Sequence, residues 1–174
     1  MNKKIAIGGL ILFVIAFGAY FGFDKLGGNN PIEITLVENK PYSLVGLSYR
    51  GTPQDPDLER AFKNVEAQKG LHPGSSLHTI YYSEPAGKLD TMEVFIGIDQ
   101  NLPIDNFEVL TFDESSYLLA SIKGSKWVMP NPTTVQDEIK EYAEKNKLKL
   151  SGVFIDKIVS ESEVQVIGPI LSQN

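Results

Sequence analysis

The sequence predicts an α+β domain in which two duplicated β-α-β-β half-domains form one antiparallel sheet, preceded by an N-terminal transmembrane helix. Three observations predict this fold class. The chain repeats itself with a period of about 70 residues, several short segments alternate apolar and polar residues as strands do, and an uncharged apolar run lies near the N-terminus. In this architecture two helices cover one face of the sheet, and the other face carries a ligand groove.

The composition is that of one globular domain. The 174 residues include 16 Lys and Arg against 22 Asp and Glu, which gives a formal net charge of -6. An acidic chain lacks the basic surface of a nucleic-acid binder, so no nucleic-acid partner is predicted. The chain has no cysteine, and its only histidines, His72 and His78, have no carboxylate at the usual ligand spacing. Neither a metal nor a cofactor is predicted.

Residues 1–24 are predicted to anchor the chain in a membrane. Residues 5–23 carry no charge, and as a helix they would extend over roughly 28 Å, enough to cross the hydrocarbon core of a bilayer. A cleavable signal peptide is the alternative. Its cleavage motif is approached only by Ala16 to Gly18, inside the apolar run, so the uncleaved anchor is favoured.

The position of the basic residues predicts the orientation of this anchor. Lys3 and Lys4 precede the apolar run, and the excess of basic residues on the cytoplasmic side of membrane proteins would place the N-terminus in the cytoplasm. We therefore expect a single-pass protein of the cell membrane, with residues 25–30 as a tether and residues 31–174 as an extracytoplasmic domain.

Two repeats, residues 31–98 and 103–170, are recognised from matching segments. "YSLVGLSYRG", which ends at Gly51, matches "SSYLLASIKG", which ends at Gly124, and "MEVFIGI" matches "SEVQVIGPI". Two copies are too few for a solenoid. We expect two fused half-domains that share one core.

The pattern within each repeat predicts a strand, a helix and two further strands. An offset of 77 residues relates Leu58 to Val135 in the two helices and Tyr81 to Ile158 in the strands that follow them. Apolar residues in both helices have the i, i+3, i+4 spacing of an amphipathic helix.

Capping residues predict where the helices begin. Asp55 and Pro56 mark the start of the first helix, and Thr133 or Thr134 would cap the second.

Alternation predicts which residues share a face of the strand near residue 156. We expect Val153 and Ile155 to face the helices, and Phe154, Asp156 and Ile158 to lie on the opposite face with the groove.

Four segments, "YSLVGLSYRG", "TIYYSEP", "YLLASIKG" and "GVFIDKIVSESEVQVIGPI", resemble the GyrI-like, or AraC-type effector-binding, domain family across residues 31–170. Gly152 and the pair Pro169-Ile170 match that family's pattern, whereas Asp156 stands in place of its usual Glu and Ile158 in place of its Tyr. The resemblance implies a duplicated fold whose groove binds lipophilic, often cationic, small molecules. It also implies relatives that act as hydrolases on strained electrophiles and others that inhibit DNA gyrase.

Asp156 is the leading candidate for a ligand-binding residue. A carboxylate between apolar neighbours costs free energy unless it is paired, so it would serve as the counter-charge of a cation or as a general base; an exposed strand aspartate is the alternative. Aromatic residues would supply walls for a flat or cationic ligand, although each could equally belong to the core. The predicted ligand-binding residues are Asp156, Tyr81, Tyr49, Trp127, Phe154, Phe95 and Glu93.

The favoured function is therefore a membrane-anchored small-molecule binding domain. A hydrolase using the same groove, with Asp156 as base and Tyr81 as acid, is one alternative, and a structural domain that binds a peptide or protein partner is another. A transcription factor or gyrase inhibitor is disfavoured, because the chain has no room for a DNA-binding module.

Overall fold

The structure, a computed structural model, describes residues 3–38, 42–85, 87–100, 103–112 and 116–171, with the side chains of residues 3–11 and 42 left out of the description. It contains three helices and eight strands among these residues. The helices and strands are α1 (Lys3–Lys25), β1 (Glu33–Val37), β2 (Tyr42–Gly51), α2 (Pro56–Leu71), β3 (Leu77–Ser83), β4 (Met92–Ile98), β5 (Glu108–Phe112), β6 (Ser116–Lys123), α3 (Pro132–Lys145), β7 (Ile155–Ser160) and β8 (Glu163–Ile170).

The N-terminal helix requires a correction. α1 occupies the position of the predicted transmembrane segment. Across the described residues, however, no helix combines the length and the apolar character that crossing a membrane requires. The predicted transmembrane helix is therefore wrong, and the extracytoplasmic location that depended on it is not carried further.

The predicted tether after α1 is held against the domain. The backbone N–H of Ser125 donates to the carbonyl of Leu26 over 2.7 Å, and the Asn30 side-chain amide donates to the carbonyl of Lys123 over 2.7 Å. Gly27 has a φ of +87°, a conformation that glycine adopts without steric cost, and a Cβ there would lie 2.8 Å from the Cα of Gly124.

All eight strands form one antiparallel sheet in the order β1-β6-β8-β7-β3-β4-β2-β5. Strands β1 to β4 of the first repeat correspond to β5 to β8 of the second. Replacing each strand by its counterpart reverses the strand order, so the sheet has a pseudo-twofold axis between β7 and β3. Each repeat contributes an additional leading strand that pairs with the other repeat: β1 pairs with β6, and β5 pairs with β2. The β-α-β-β unit predicted from the sequence therefore lacked one strand per repeat.

The helices begin at side-chain caps that satisfy free backbone N–H groups. The carboxylate of Asp55 accepts from the backbone N–H of Asp57 over 2.9 Å, which confirms the predicted cap of α2. For α3 the cap is Asn131, whose side-chain oxygen accepts from the backbone N–H of Thr134 over 2.8 Å and from its hydroxyl over 3.0 Å. The expectation that a threonine caps this helix was wrong because Thr134 acts as a donor to Asn131.

Apolar clusters lie on both faces of the sheet. On the helix-bearing face, α2 packs on β2 and β4 around Val65, and α3 packs on β6 and β8 around Ile139. On the opposite face, six side chains from six adjacent strands form a third buried cluster: Leu44, Ile80, Phe95, Tyr117, Ile155 and Ile167. Neighbouring strands are about 4.8 Å apart, so each of these side chains can contact the one on the next strand, and together they form a continuous cluster.

This third cluster overturns the predicted placement of the groove. Ile155 lies in the helix-free cluster, and Asp156 and Ile158 line a cavity together with Val135 of α3. The groove therefore opens on the helix-bearing face. Alternation correctly separated the two sets of residues. Both faces of β7 carry apolar side chains, however, so the pattern could not say which face meets the helices.

Candidate functional site

A cavity of about 330 Å³ lies between the sheet and the N-terminal end of α3, and we call it the apolar compartment. Most of its lining is aliphatic, which makes it a suitable place for the apolar body of a small molecule. It is lined by Thr79, Tyr81, Ile122, Met129, Pro130, Pro132, Val135, Asp156, Ile158, Val164 and Val166.

A second cavity of about 280 Å³ adjoins it, and we call it the polar compartment. It is lined by Tyr81, Glu84, Gln136, Lys140, Gly152, Phe154 and Asp156. Tyr81 and Asp156 line both compartments, so their polar atoms stand where the apolar space meets the hydrogen-bonding groups.

The pairing of the two central strands places Asp156 at this boundary. Thr79 of β3 lies directly opposite Asp156 of β7, next to the pseudo-twofold axis. Gly152, with a φ of +91°, makes the turn that leads into β7, and a residue with a side chain would be strained in that conformation. The local sequence thus places a carboxylate on the central strand pair of the sheet, facing the helices.

The electrostatic surroundings of Asp156 favour its neutral form. Burial, together with the smaller effect of the nearby Glu84 carboxylate, raises the pKa of this carboxyl from 3.8 to about 6. No hydrogen-bond donor or cation among the described residues offsets that increase in pKa. At neutral pH the site therefore carries an ionised, poorly solvated carboxylate.

The Tyr81 hydroxyl is close enough to Asp156 for the aspartate charge to influence its pKa. Burial raises the pKa of its hydroxyl above 10.0, and the charges of Asp156 and Glu84 raise it further. The hydroxyl is therefore protonated at neutral pH and available as a donor at the boundary of the two compartments.

Phe154 and Lys140 form one wall of the polar compartment. The Lys140 ammonium lies 5.8 Å from the centre of the Phe154 ring and 3.0 Å from a carboxylate oxygen of Asp137. The ring of Phe154 is thus placed where it already attracts one cation.

Four predicted residues lie outside both compartments. Tyr49 is buried against α2, and its hydroxyl donates to the carbonyl of Thr52 over 2.9 Å. Trp127 is 81% exposed and lines a separate, open concavity of about 720 Å³ beside the end of α1. This larger concavity contains neither Asp156 nor Tyr81, so its size does not make it the better candidate.

The other two belong to the helix-free face. Phe95 is 1% exposed in the third apolar cluster. Glu93 is half-buried, with its carboxylate 4.0 Å from the Arg50 guanidinium. The structure therefore brings together Asp156, Tyr81 and Phe154, and separates from them Tyr49, Trp127, Phe95 and Glu93.

Several lining residues were not anticipated from the sequence: Ile122, Met129, Val135, Glu84, Gln136 and Lys140. The missing information was which face of the sheet the groove occupies. Once the groove is known to lie on the helix-bearing face, strand alternation identifies Ile122 of β6 as a residue of that face. The helical spacing of α3 likewise identifies Val135 as a residue that faces the sheet. Among the described residues, no three His, Asp or Glu side chains converge in a way that could hold a metal ion.

This chain is similar in fold to several proteins of known structure. No family model matches the sequence, and no curated protein matches it. A crystal structure of a hydrolase from Listeria innocua superposes with a TM-score of 0.57 at 8% identity, over 80% of this chain and 92% of that one. The EcmrR C-terminal domain superposes with a TM-score of 0.53 at 12% identity, over 82% of this chain and 99% of that one.

A third superposition also includes the N-terminal region of this chain. The EcmrR–DNA complex gives a TM-score of 0.56 at 10% identity, over 98% of this chain and 70% of that one. At these identities the fold is shared, including the fold of the EcmrR C-terminal domain. The chemistry of the site has to be argued from this chain's own residues.

Proposed function

We propose that this domain binds small organic cations that carry a lipophilic body. The observation that supports this proposal is the Asp156 carboxylate, whose pKa is raised to about 6 at the boundary of an apolar cavity. A cation beside it restores the stabilisation that burial removes, while the body of the ligand displaces water from the aliphatic walls.

The dimensions of the site agree with a ligand of this kind. The apolar compartment, about 330 Å³, lies at the lower end of the range found for small-molecule sites, roughly 300 to 1,000 Å³. Phe154 and Tyr81 present aromatic surface beside the carboxylate, and aromatic rings attract cations. The resemblance of residues 31–170 to effector-binding domains implies the same class of ligand.

The test compares a cation with its neutral isostere. Benzyltrimethylammonium and neopentylbenzene have the same shape and differ in charge, and calorimetric titration would give both affinities for the wild-type chain and for Asp156→Asn. We expect the variant to lose about 1 to 3 kcal/mol of affinity for the cation, a factor of about 5 to 150, and little for the neutral compound. Wild-type affinity for the cation should also fall as the pH is lowered through about 6, because Asp156 becomes protonated.

Asp105→Asn is the matched control, since it makes the same chemical change at an exposed position away from both compartments. It should leave both affinities unchanged. Equal binding of the cation and its isostere by the wild-type chain would contradict the proposal, as would equal cation affinity in wild type and Asp156→Asn.

A hydrolase is the second candidate function. A carboxyl with a pKa of about 6 can accept a proton from water at neutral pH. Tyr81, which lines both compartments with Asp156, offers a protonated hydroxyl as a candidate proton donor. One solved structure with this fold is described as a hydrolase. This candidate predicts turnover of an activated ester or epoxide that Asp156→Asn abolishes while binding persists; absence of turnover in the wild type leaves binding as the function.

A further inference from the structure

One of the differences between the two repeats determines where the apolar compartment lies. It is the pair Tyr49 and Ile122. Tyr49 of β2 lies opposite Val94 of β4, and Ile122 of β6 lies opposite Val164 of β8. Because β2 and β4 correspond to β6 and β8 under the pseudo-twofold axis, Ile122 is the structural counterpart of Tyr49.

The ring of Tyr49 fills this position in the first repeat. Tyr49 is 8% exposed and packs in the α2 cluster, with Leu58 against it. The ring also extends over Gly51, where an added Cβ would lie 2.2 Å from the tyrosine hydroxyl oxygen. The space between the sheet and the start of α2 is therefore occupied by the protein's own aromatic side chain.

The counterpart residues of the second repeat are smaller. Ile122 replaces the ring of Tyr49, and Val135, at the sequence position that matches Leu58, replaces a leucine. Both line the apolar compartment. Gly124, the counterpart of Gly51, is approached by the backbone of Leu26 and Gly27, whose oxygens lie 3.3 and 3.2 Å from the position of an added Cβ. At this glycine the second repeat therefore packs against the connection after α1 and not against an aromatic ring of its own.

We propose that the lipophilic body of the ligand lies off the pseudo-twofold axis, on the side of the second repeat, and that Ile122 together with Val135 sets the largest lipophilic body that the site accepts. This inference rests on the proposed function and assigns a specificity-determining role to residues that carry no charge. Asp156 recognises the cationic group, and Ile122 limits the size of the apolar part.

A homologous series of cations tests this assignment on the full chain. Benzyltrimethylammonium, benzyltriethylammonium and benzyltributylammonium share one charge and one aromatic group, and they differ in the bulk around nitrogen. One methylene in a hydrophobic pocket changes discrimination by about 10-fold or more. We expect Ile122→Phe to weaken binding of the largest cation that the wild type accepts by at least about 10-fold, and Ile122→Ala to shift the preference toward larger cations.

Two further variants provide a second test of the size limit and a control for the added aromatic ring. Val135→Leu narrows the same compartment from α3 by a single methylene and should lower the affinity for larger cations in the same order as Ile122→Phe. Val109→Phe adds an aromatic ring at a position on β5 that is 48% exposed and outside both compartments, and it should change no affinity. Circular dichroism melting curves establish that each variant is folded.

The outcomes separate this inference from the proposed function. In one outcome the wild type binds the cations, Asp156→Asn weakens their binding, and Ile122→Phe, Ile122→Ala and Val135→Leu all keep the wild-type size preference. The off-axis placement is then overturned and the proposed function stands. If the wild type binds none of the cations, both are overturned. A size preference that moves in opposite directions in Ile122→Phe and Ile122→Ala supports the assignment.

Discussion

Asp156 shows how one buried carboxylate reduces the stability of the fold at neutral pH. Its carboxyl is less solvated in the folded chain than in the unfolded chain, and the Glu84 carboxylate adds repulsion, so its pKa is raised to about 6. Because the ionised form is the one that is penalised, the cost is present at neutral pH. A bound cation would remove that cost.

Stability should therefore depend on pH through Asp156 in a definite direction. The folded pKa of about 6 exceeds the ordinary aspartate value of 3.8, so ionisation of Asp156 destabilises the fold fully above pH 6 and not at all below about pH 4. A difference of this size corresponds to about 3 kcal/mol at most. We expect Asp156→Asn to have a higher free energy of unfolding than the wild type at pH 8, with a difference that shrinks toward pH 4 in urea titrations.

The comparison has to be made between variant and wild type because His78 titrates in the same range. Burial lowers the pKa of His78 to about 4, with the Lys157 ammonium also lowering it and Asp99 opposing both. The unfolded chain consequently binds a proton at His78 before the folded chain does, and stability is lost as the pH falls from 6.5 toward 4. That loss is common to both proteins. A difference between them that stays constant from pH 8 to pH 4 would contradict the role given to Asp156.

At the scale of elements, the start of α3 supports the site. Pro132 and Val135 line the apolar compartment, and Gln136 and Lys140 line the polar one. The backbone at this helix end is held by the Asn131 side chain, which accepts two hydrogen bonds from Thr134. A single capping residue therefore fixes the element that supplies walls to both compartments.

Removal of this cap should reduce both stability and binding. Asn131→Ala leaves a helix N–H unsatisfied and should cost about 1 kcal/mol in the free energy of unfolding, whereas Asn131→Asp should retain most of it. Asp55→Ala removes the corresponding cap of α2. It should cost a similar amount of stability without weakening cation binding, because α2 contributes no residue to either compartment. Equal binding losses in the two alanine variants would contradict this role of Asn131.

At the scale of the whole molecule, the repeats are joined by exchange of strands. β1 of the first repeat pairs with β6 over residues 33–37 and 117–121, and β5 of the second repeat pairs with β2. The helix-free cluster also draws Leu44, Ile80 and Phe95 from the first repeat and Tyr117, Ile155 and Ile167 from the second. Neither repeat contains a complete sheet or a complete core.

Separated halves should therefore fail to fold alone. We expect fragments 1–100 and 101–174 to lack a cooperative thermal transition individually by circular dichroism, because each would expose the helix-free cluster and an unpaired strand edge. Mixing the two should restore cooperative unfolding. A stable, cooperative transition in either fragment by itself would show that the exchanged strands are dispensable.

The amino-acid sequence by itself determined the internal repeat, the positions of α2 and α3, the cap at Asp55 and the residues that alternate along each strand. These features depend on neighbouring residues, through helical spacing, strand alternation and local hydrogen bonds. Asp156 and Tyr81 were selected at this level, because a carboxylate between apolar residues is unusual in any strand.

Only the tertiary structure decided which face of the sheet holds the site. Both faces of β7 carry apolar side chains, and the helix-free face has a buried cluster of its own, so alternation separates Asp156 from Ile155 without saying which of them meets the helices. Tyr49 and Phe95 are aromatic residues of the kind that line ligand sites. Tyr49 packs against α2, however, and Phe95 packs in the helix-free cluster, so neither lines the cavity. The cavity exists where Ile122 leaves unfilled the space that Tyr49 fills in the other repeat. The repeat match already aligns these two residues, but only packing shows that the ring of Tyr49 occupies the core and that the smaller side chain borders a cavity.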